Sequence, residues 1–421
     1  MSNVTRLTLG EISDSCLGKM LDKKKNRGSF HPYLANYNVR WGEFDLSDVQ
    51  EMKFEDHEHE RYGLEYGDLV ICEGGEPGRC AIWRDNAPDM KIQKALHRLR
   101  VKSGFSHDFL FYRMLLANRT GELQKYFIGS TIKHLTGVAL KQVEFDFPSY
   151  EKQVSIAAVL RSLDKKIELN NRISNDLKVI AQTLYDYWFV QFDFPNGDGK
   201  PYRSSGGQMV YSETLKRNIP VDWEAVNLEY IISRSGTGLN PRTNFKLGEG
   251  SNYYVTIKSI GGGKVSLDDK CDRISDESLT IINNRSDLKV GDVLFTSIQP
   301  VGETYFIQEK PKNWNINESV FTLRADTKQV TPEYLYMLLS SQEMKAYTKQ
   351  SSAGSIHKGI RHGVLKEFLL PFGGKEITKE FSKVLSPVLK KQALIEKENR
   401  VLSETRDWLL PMLMNGQVTV K

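Results

Sequence analysis

Apolar and polar positions along this chain alternate between two regimes. In one, short apolar runs are broken by Gly, Asn and Asp, as in Tyr253-Tyr254-Val255-Thr256-Ile257, a pattern that predicts strands joined by turns. In the other, residues recur alternately three and four apart. Leu160, Leu163, Ile167, Asn170, Ser174, Leu177, Ala181, Leu184 and Trp188 trace the heptad stripe of a coiled-coil seam. The helix carrying it is expected to begin after Pro148, with Ser149 as N-cap and Glu151 in the first turn.

The stripe occurs twice. Adding 225 to each position gives Leu385, Val388, Gln392, Ile395, Asn399, Leu402, Arg406, Leu409 and Leu413, a second helix in the same phase. Polar residues interrupt both stripes midway, which costs stability and fixes register. The strand regions repeat as well. Leu64-Glu65-Tyr66-Gly67-Asp68-Leu69-Val70 returns as Leu288-Lys289-Val290-Gly291-Asp292-Val293-Leu294, and Leu99-Arg100 as Leu323-Arg324, both at an offset of 224. At an offset of 225, Phe109-Leu110 matches Tyr334-Leu335, Gly129-Ser130 matches Gly354-Ser355, and Leu140-Lys141 matches Leu365-Lys366. A conserved spacing with unlike residues predicts one architecture used twice.

The expected fold class is therefore α+β, with two mixed α/β domains separated by two long coiled-coil helices in a pseudo-two-fold internal repeat. The expected boundaries are 1–147 for the first domain, 148–192 for the first helix, 193–220 for a linker, 221–372 for the second domain and 373–421 for the second helix. The linker reading rests on Asn196-Gly197-Asp198-Gly199-Lys200-Pro201 and Ser204-Ser205-Gly206-Gly207, which cannot continue a helix. A helix of about 40 residues is on the order of 60 Å long, enough to hold two domains apart.

At 421 residues, two or more globular units are the default, and 39% hydrophobic with 26% charged residues is ordinary for a soluble fold. A net charge of +5 is only mildly basic, so any nucleic-acid footprint must be local. The first residues lack a signal-peptide layout and no apolar run approaches the roughly 20 residues that span a bilayer, so a cytoplasmic chain with no membrane partner is expected. Cys16, Cys72, Cys80 and Cys271 show no metal-ligand spacing. His57 and His59, in Glu55-Asp56-His57-Glu58-His59-Glu60, are expected in a solvated charged loop, so no metal site is expected.

Tyr187-Trp188-Phe189-Val190-Gln191-Phe192-Asp193-Phe194, followed by Ile219-Pro220-Val221-Asp222-Trp223, resembles the central conserved region of type I restriction-modification specificity subunits. The close Leu409-Leu410-Pro411-Met412-Leu413-Met414-Asn415-Gly416 is similar to that family's final helix, and the two Gly-Ser segments resemble its late recognition-domain motif. The resemblance covers essentially the whole chain. It implies two target-recognition domains, each reading half of an asymmetric, bipartite site in double-stranded DNA. It further implies that the two long coiled-coil helices pair antiparallel and dock two methyltransferase modification subunits. S-adenosylmethionine would then belong to those partners, and ATP with magnesium to a restriction subunit where one exists, leaving this chain without a cofactor.

Enzyme chemistry has little support in the residues themselves. Neither an Asn-Pro-Pro-Tyr nor an Asp-Pro-Pro-Tyr methyltransferase tetrapeptide occurs, and Gly261-Gly262-Gly263-Lys264 ends in Val265, without the hydroxyl that a nucleotide-binding loop supplies to magnesium. A self-contained DNA-modifying enzyme is the weaker alternative, and a non-DNA protein-binding scaffold built on the helical rod is the stronger one. Against the scaffold stand clustered basic and amide residues, because Lys and Arg position phosphates while Asn and Arg read base edges. In the first domain these are Lys19, Lys23, Lys24, Lys25, Arg27, Asn36, Asn38, Lys133 and His134; in the second, Arg234, Asn240, Arg242, Asn244, Lys246, His357 and Lys358.

Overall fold

The computed structural model describes residues 4–22, 26–352 and 359–420. Contacts divide the chain into two units, Met1–Asn170 with Glu398–Lys421, and Asn171–Lys397. Each unit thus takes part of each long helix.

In the first unit, the run Leu69-Val70-Ile71-Cys72 is wholly buried and forms an inner strand of an antiparallel sheet. The order is Ser13–Leu17, Leu96–Val101, Leu69–Cys72, Cys80–Ile82. A three-stranded sheet follows, in which Ser29–Leu34 pairs antiparallel with Gln50–Phe54 and parallel with Lys91–Ile92. Thr5–Thr8 pairs with Glu144–Phe147. The helix His107–Arg119, capped by the Ser106 hydroxyl, buries residues on all sides from Phe109 to Ala117, as a helix inside a core must.

The second unit repeats this plan. Its four-stranded sheet runs Ile232–Thr237, Val320–Ala325, Val293–Thr296, Thr304–Phe306. Asn252–Val255 pairs antiparallel with Asp272–Ile274 and parallel with Trp314–Ile316, and Glu224–Asn227 pairs with Leu369–Phe372. The triple glycine closes a hairpin between Ile260–Gly261 and Lys264–Val265, with Gly262 and Gly263 both at positive φ, which suits glycine in a two-residue turn.

The long helices span Tyr150–Tyr185 and Lys375–Met414. Within the first unit they pair antiparallel: Ala157 and Leu160 share a core with Leu410 and Leu413, and Arg406 donates to Asp164 at 2.7 Å. The Asn170 amide, 2% exposed, donates to Asn399 at 2.9 Å and to Glu398 at 2.8 Å. Within the second unit, the Gln392 amide donates to the Ser174 carbonyl at 3.2 Å, and Tyr185, Trp188 and Phe189 pack on Phe381. Leu385 and Leu389 lie in the same core, with Leu184 and Val388 packed against it. Leu163, Ile167, Leu177, Leu402 and Leu409 are half-buried.

The segment 193–220 is more ordered than a linker. Phe194 stacks on Tyr202 at 4.8 Å and on Trp223 at 5.2 Å, and Met209–Ser212 pairs with Arg217–Pro220. Aromatic burial outweighs the glycine-rich composition here, because three rings bring far more apolar area than the turns cost in entropy.

Candidate nucleic-acid interface

In each unit a carboxylate–guanidinium brace fixes the sheet beneath a set of turns. Asp68 precedes one inner strand and accepts from Arg100 on the adjacent one at 2.7 and 2.8 Å. Asp292 accepts from Arg324 at 2.7 and 2.9 Å. The same backbone bonds recur around both. Gly78 N donates to Cys72 O and Gly302 N to Thr296 O, each at 3.0 Å. Leu135 N donates to Glu73 O at 2.7 Å, and Ile360 N to Ser297 O at 2.8 Å.

On the first of these scaffolds the turns converge on an open cleft lined by Met20, Leu21, Asn36, Glu73, Gly74, Gln93, Lys94 and His134. The parallel strands deliver two of its walls: Ser29–Leu34 runs into Asn36, and Lys91–Ile92 into Gln93-Lys94. Ala95 holds a φ of +85°, an unusual state for a residue with a Cβ, and its carbonyl accepts from Glu73 N at 2.9 Å. The loop carrying Lys133 and His134 is closed by paired backbone bonds between Ile128 and His134, both 2.8 Å. Gly129 is required there, since its φ is +108° and a Cβ would lie 2.2 Å from Ile132 O. Beneath it, His97 meets the Leu135 carbonyl at 3.0 Å, and burial holds its pKa below the ordinary histidine value.

Lys94, Lys133 and His134 are exposed, the last two in the same loop as exposed Ile128 and Ile132; Arg27 is also exposed, and among the described residues no contact ties it to this cleft. This set can hold phosphates with the cations and meet base edges with Gln93 and the apolar side chains. Lys23, Lys24 and Lys25 lie outside the described residues.

Three residues expected at the interface have other work. Lys19 is 3% exposed, with its ammonium paired to Glu58, donating to the Lys53 carbonyl at 2.9 Å and lying 5.0 Å from the Phe54 ring centre. A cation so enclosed cannot reach a phosphate. Asn38, 1% exposed, accepts from Ala35 N and donates to the carbonyls of Asp45 and Asp48, all at 2.9 Å, so its amide builds a turn. Asn36 reaches the cleft, but its amide donates to Gly74 O at 2.7 Å and accepts from Arg79 at 2.8 Å.

In the second unit, Arg234 donates to Asp287 and to the Arg285 carbonyl, both at 2.9 Å, which commits it to the fold. Asn240 caps the short helix Pro241–Asn244 and donates to Glu318 at 2.9 Å. Asn244 donates back to the Asn240 carbonyl at 2.7 Å. Arg242 and Lys246 are exposed; His357 and Lys358 lie outside the described residues. Residues not singled out by sequence occupy the equivalent turns: Ile298 and Gln299 are exposed after the strand Val293–Thr296, as is Lys258 after Asn252–Val255. Glu318 stands at the position of Lys94, 224 residues on. The signal that could have found them was the repeat itself, which pins the scaffold and leaves unlike residues at the turns.

Among the described residues no helix is long and apolar enough to cross a membrane. The family described as "Type I restriction modification DNA specificity domain" matches residues 1–179 and again 220–404. The chain is 23% identical over 365 residues to the type I restriction enzyme MjaIX specificity subunit of Methanocaldococcus jannaschii, covering 84% of this chain and 78% of that protein. To the HindI specificity subunit of Haemophilus influenzae it is 24% identical over 368 residues, covering 74% and 77%. Its fold is similar to the crystal structure of a type I restriction-modification S subunit from M. genitalium, with a TM-score of 0.56, 15% identity, and 98% and 96% of the two chains covered.

Proposed function

The chain belongs to the type I restriction-modification DNA specificity family, and from that membership we propose how its two units divide the task of reading DNA. The chain is a specificity subunit; methyl transfer and cleavage belong to the subunits it assembles with, which also carry their cofactors. Each unit reads one half of a bipartite site in double-stranded DNA. In the first, Lys94 and Lys133 hold phosphates and so fix register, while Gln93 and His134 face base edges. In the second, Ile298, Gln299 and Lys258 occupy the corresponding turns.

One observation carries the reading: the brace and its backbone bonds recur, whereas the turn residues do not. Lys94 and Glu318 differ even in the sign of their charge. Two readers with a common frame and unlike contacts suit an asymmetric target. Two modification subunits then bind the helices, and S-adenosylmethionine enters with them. Val401 and Trp408 are exposed one heptad apart on the second helix, a surface that a partner helix could cover.

Exchanging residues 1–147 for those of another family member tests the division. Methylome sequencing should show one half of the target changed and the other retained. A target changed in both halves would overturn it.

A further inference from the structure

His31, His59 and Asp89 are far apart in sequence and meet in the first unit. Each offers a ligand atom, and these three atoms lie within 4.8 Å of one another. We propose that they form a site for a zinc ion, with the remaining coordination position left to water. Two imidazoles and one carboxylate are a donor set that zinc takes with an open position.

The donors are oriented by their neighbours. His31 Nε2 lies 2.8 Å from Ser29 Oγ and Nδ1 lies 2.5 Å from Asp89 Oδ2. In the tautomer with Nε2–H donating to the hydroxyl, the Nδ1 lone pair faces the carboxylate, and the two can share one cation in place of the proton that otherwise joins them. The His59 ring stands edge-on to His31 with centres 4.5 Å apart. Asp89 holds a left-handed φ of +55°, and its second oxygen accepts from the buried Lys91 ammonium at 2.5 Å. Lys91 thus aims the carboxylate, as outer-shell groups do around bound metals. Two imidazole nitrogens and a single carboxylate suit a nitrogen-bound ion better than calcium or magnesium, which depend on several carboxylate or carbonyl oxygens.

A second group, Glu55, His57 and Glu58, lies nearby. There the Glu58 carboxylate is taken by Lys19, so it is the weaker site.

The position gives the ion a consequence. His31 and Asp89 each lie two residues before the parallel pairing Tyr33↔Lys91 and Leu34↔Ile92. The same two strands continue into Asn36 and into Gln93-Lys94 of the cleft. At about 3.3 Å per residue the cleft ends lie on the order of 16 Å from the ion. A ladder of two residue pairs has little support of its own, and the ion would pin its entry.

The test is calorimetric titration of zinc chloride into the full chain freed of metal with chelator. One equivalent should bind, weakened at least tenfold by His31→Ala and by His59→Ala, and unchanged by His57→Ala. Asp89→Asn serves as a further variant, and circular dichroism checks that each variant is folded. Absence of a binding equivalent would overturn the site, as would binding that survives His31→Ala and His59→Ala or disappears with His57→Ala.

Discussion

Arg100 grips both carboxylate oxygens of Asp68, a side chain 1% exposed, at 2.7 and 2.8 Å. A buried carboxylate that loses its guanidinium keeps its desolvation cost without compensation. Arg100→Ala should therefore destabilise the first unit by about 3–5 kcal/mol, read by thermal or denaturant unfolding. Arg324→Ala should act likewise on the second. A loss below about 1 kcal/mol, the range of an exposed pair, would show that the brace is solvated.

The exposed lysines on the cleft's turns and the enclosed lysine should separate cleanly. Lys94→Ala and Lys133→Ala should each weaken DNA binding at every sequence and lower the salt slope by about 1, leaving unfolding unchanged. Lys19→Ala should instead destabilise, because it strands Glu58. If Lys19→Ala lowered the salt slope at unaltered stability, the buried ion pair would be misassigned.

The buried amide of Asn170 should act on register. Asn170→Ala removes the buried donor of both bonds and should cost about 1–3 kcal/mol. Replacing both Asn170 and Asn399 with Leu should recover stability but admit misaligned or higher-order species, visible by size exclusion with light scattering. A uniquely sized double variant would deny the polar pair this role.

Asp108 sets a pH response. Burial opposes its ionisation, but the hydrogen bond from His107 and the charge of Arg84 outweigh this and hold its pKa at about 2, below the ordinary 3.8. Its contribution, about 2 kcal/mol, is present above pH 3.8 and is lost as pH falls through about 2. Acid titration of stability should show this loss, and Asp108→Asn should flatten it; an unchanged profile would contradict the assignment.

Trp408 is 61% exposed and stands one heptad after Val401, itself 55% exposed, on the second long helix. Trp408→Ala should weaken capture of a modification subunit by about 30-fold or more, the scale of an interfacial tryptophan, without changing the chain's fold. Titration of the purified partner measures it. Equal affinity would move the docking surface elsewhere.

The seam and the repeat were legible because both are periodic: Leu160 and Leu385, or Asp68 and Asp292, announce themselves by spacing alone. Burial of single polar groups was not. Lys19 looks like a surface lysine until Glu58, 39 residues away, arrives to enclose it. Asn38 looks like a base reader until the carbonyls of Asp45 and Asp48 claim its amide. Gln93 and Lys94 were passed over because a two-residue parallel pairing leaves no hydrophobic pattern. His59 was read within its charged run, whereas its partners His31 and Asp89 come from a strand and a loop elsewhere. Composition likewise suggested a free linker at 193–220, because glycine and serine counts do not record which aromatic rings will stack.

The turn bearing Gln93 and Lys94 rests on bonds that do not involve its own side chains, and this has an evolutionary consequence. A lineage can rewrite half of its recognition sequence by exchanging one stretch of gene, with no accompanying change in the frame. In an assembly that both methylates and cuts, protection and attack would then shift together. A cell inheriting the exchange in such an assembly would mark its genome by the new rule as soon as it began to cut by it.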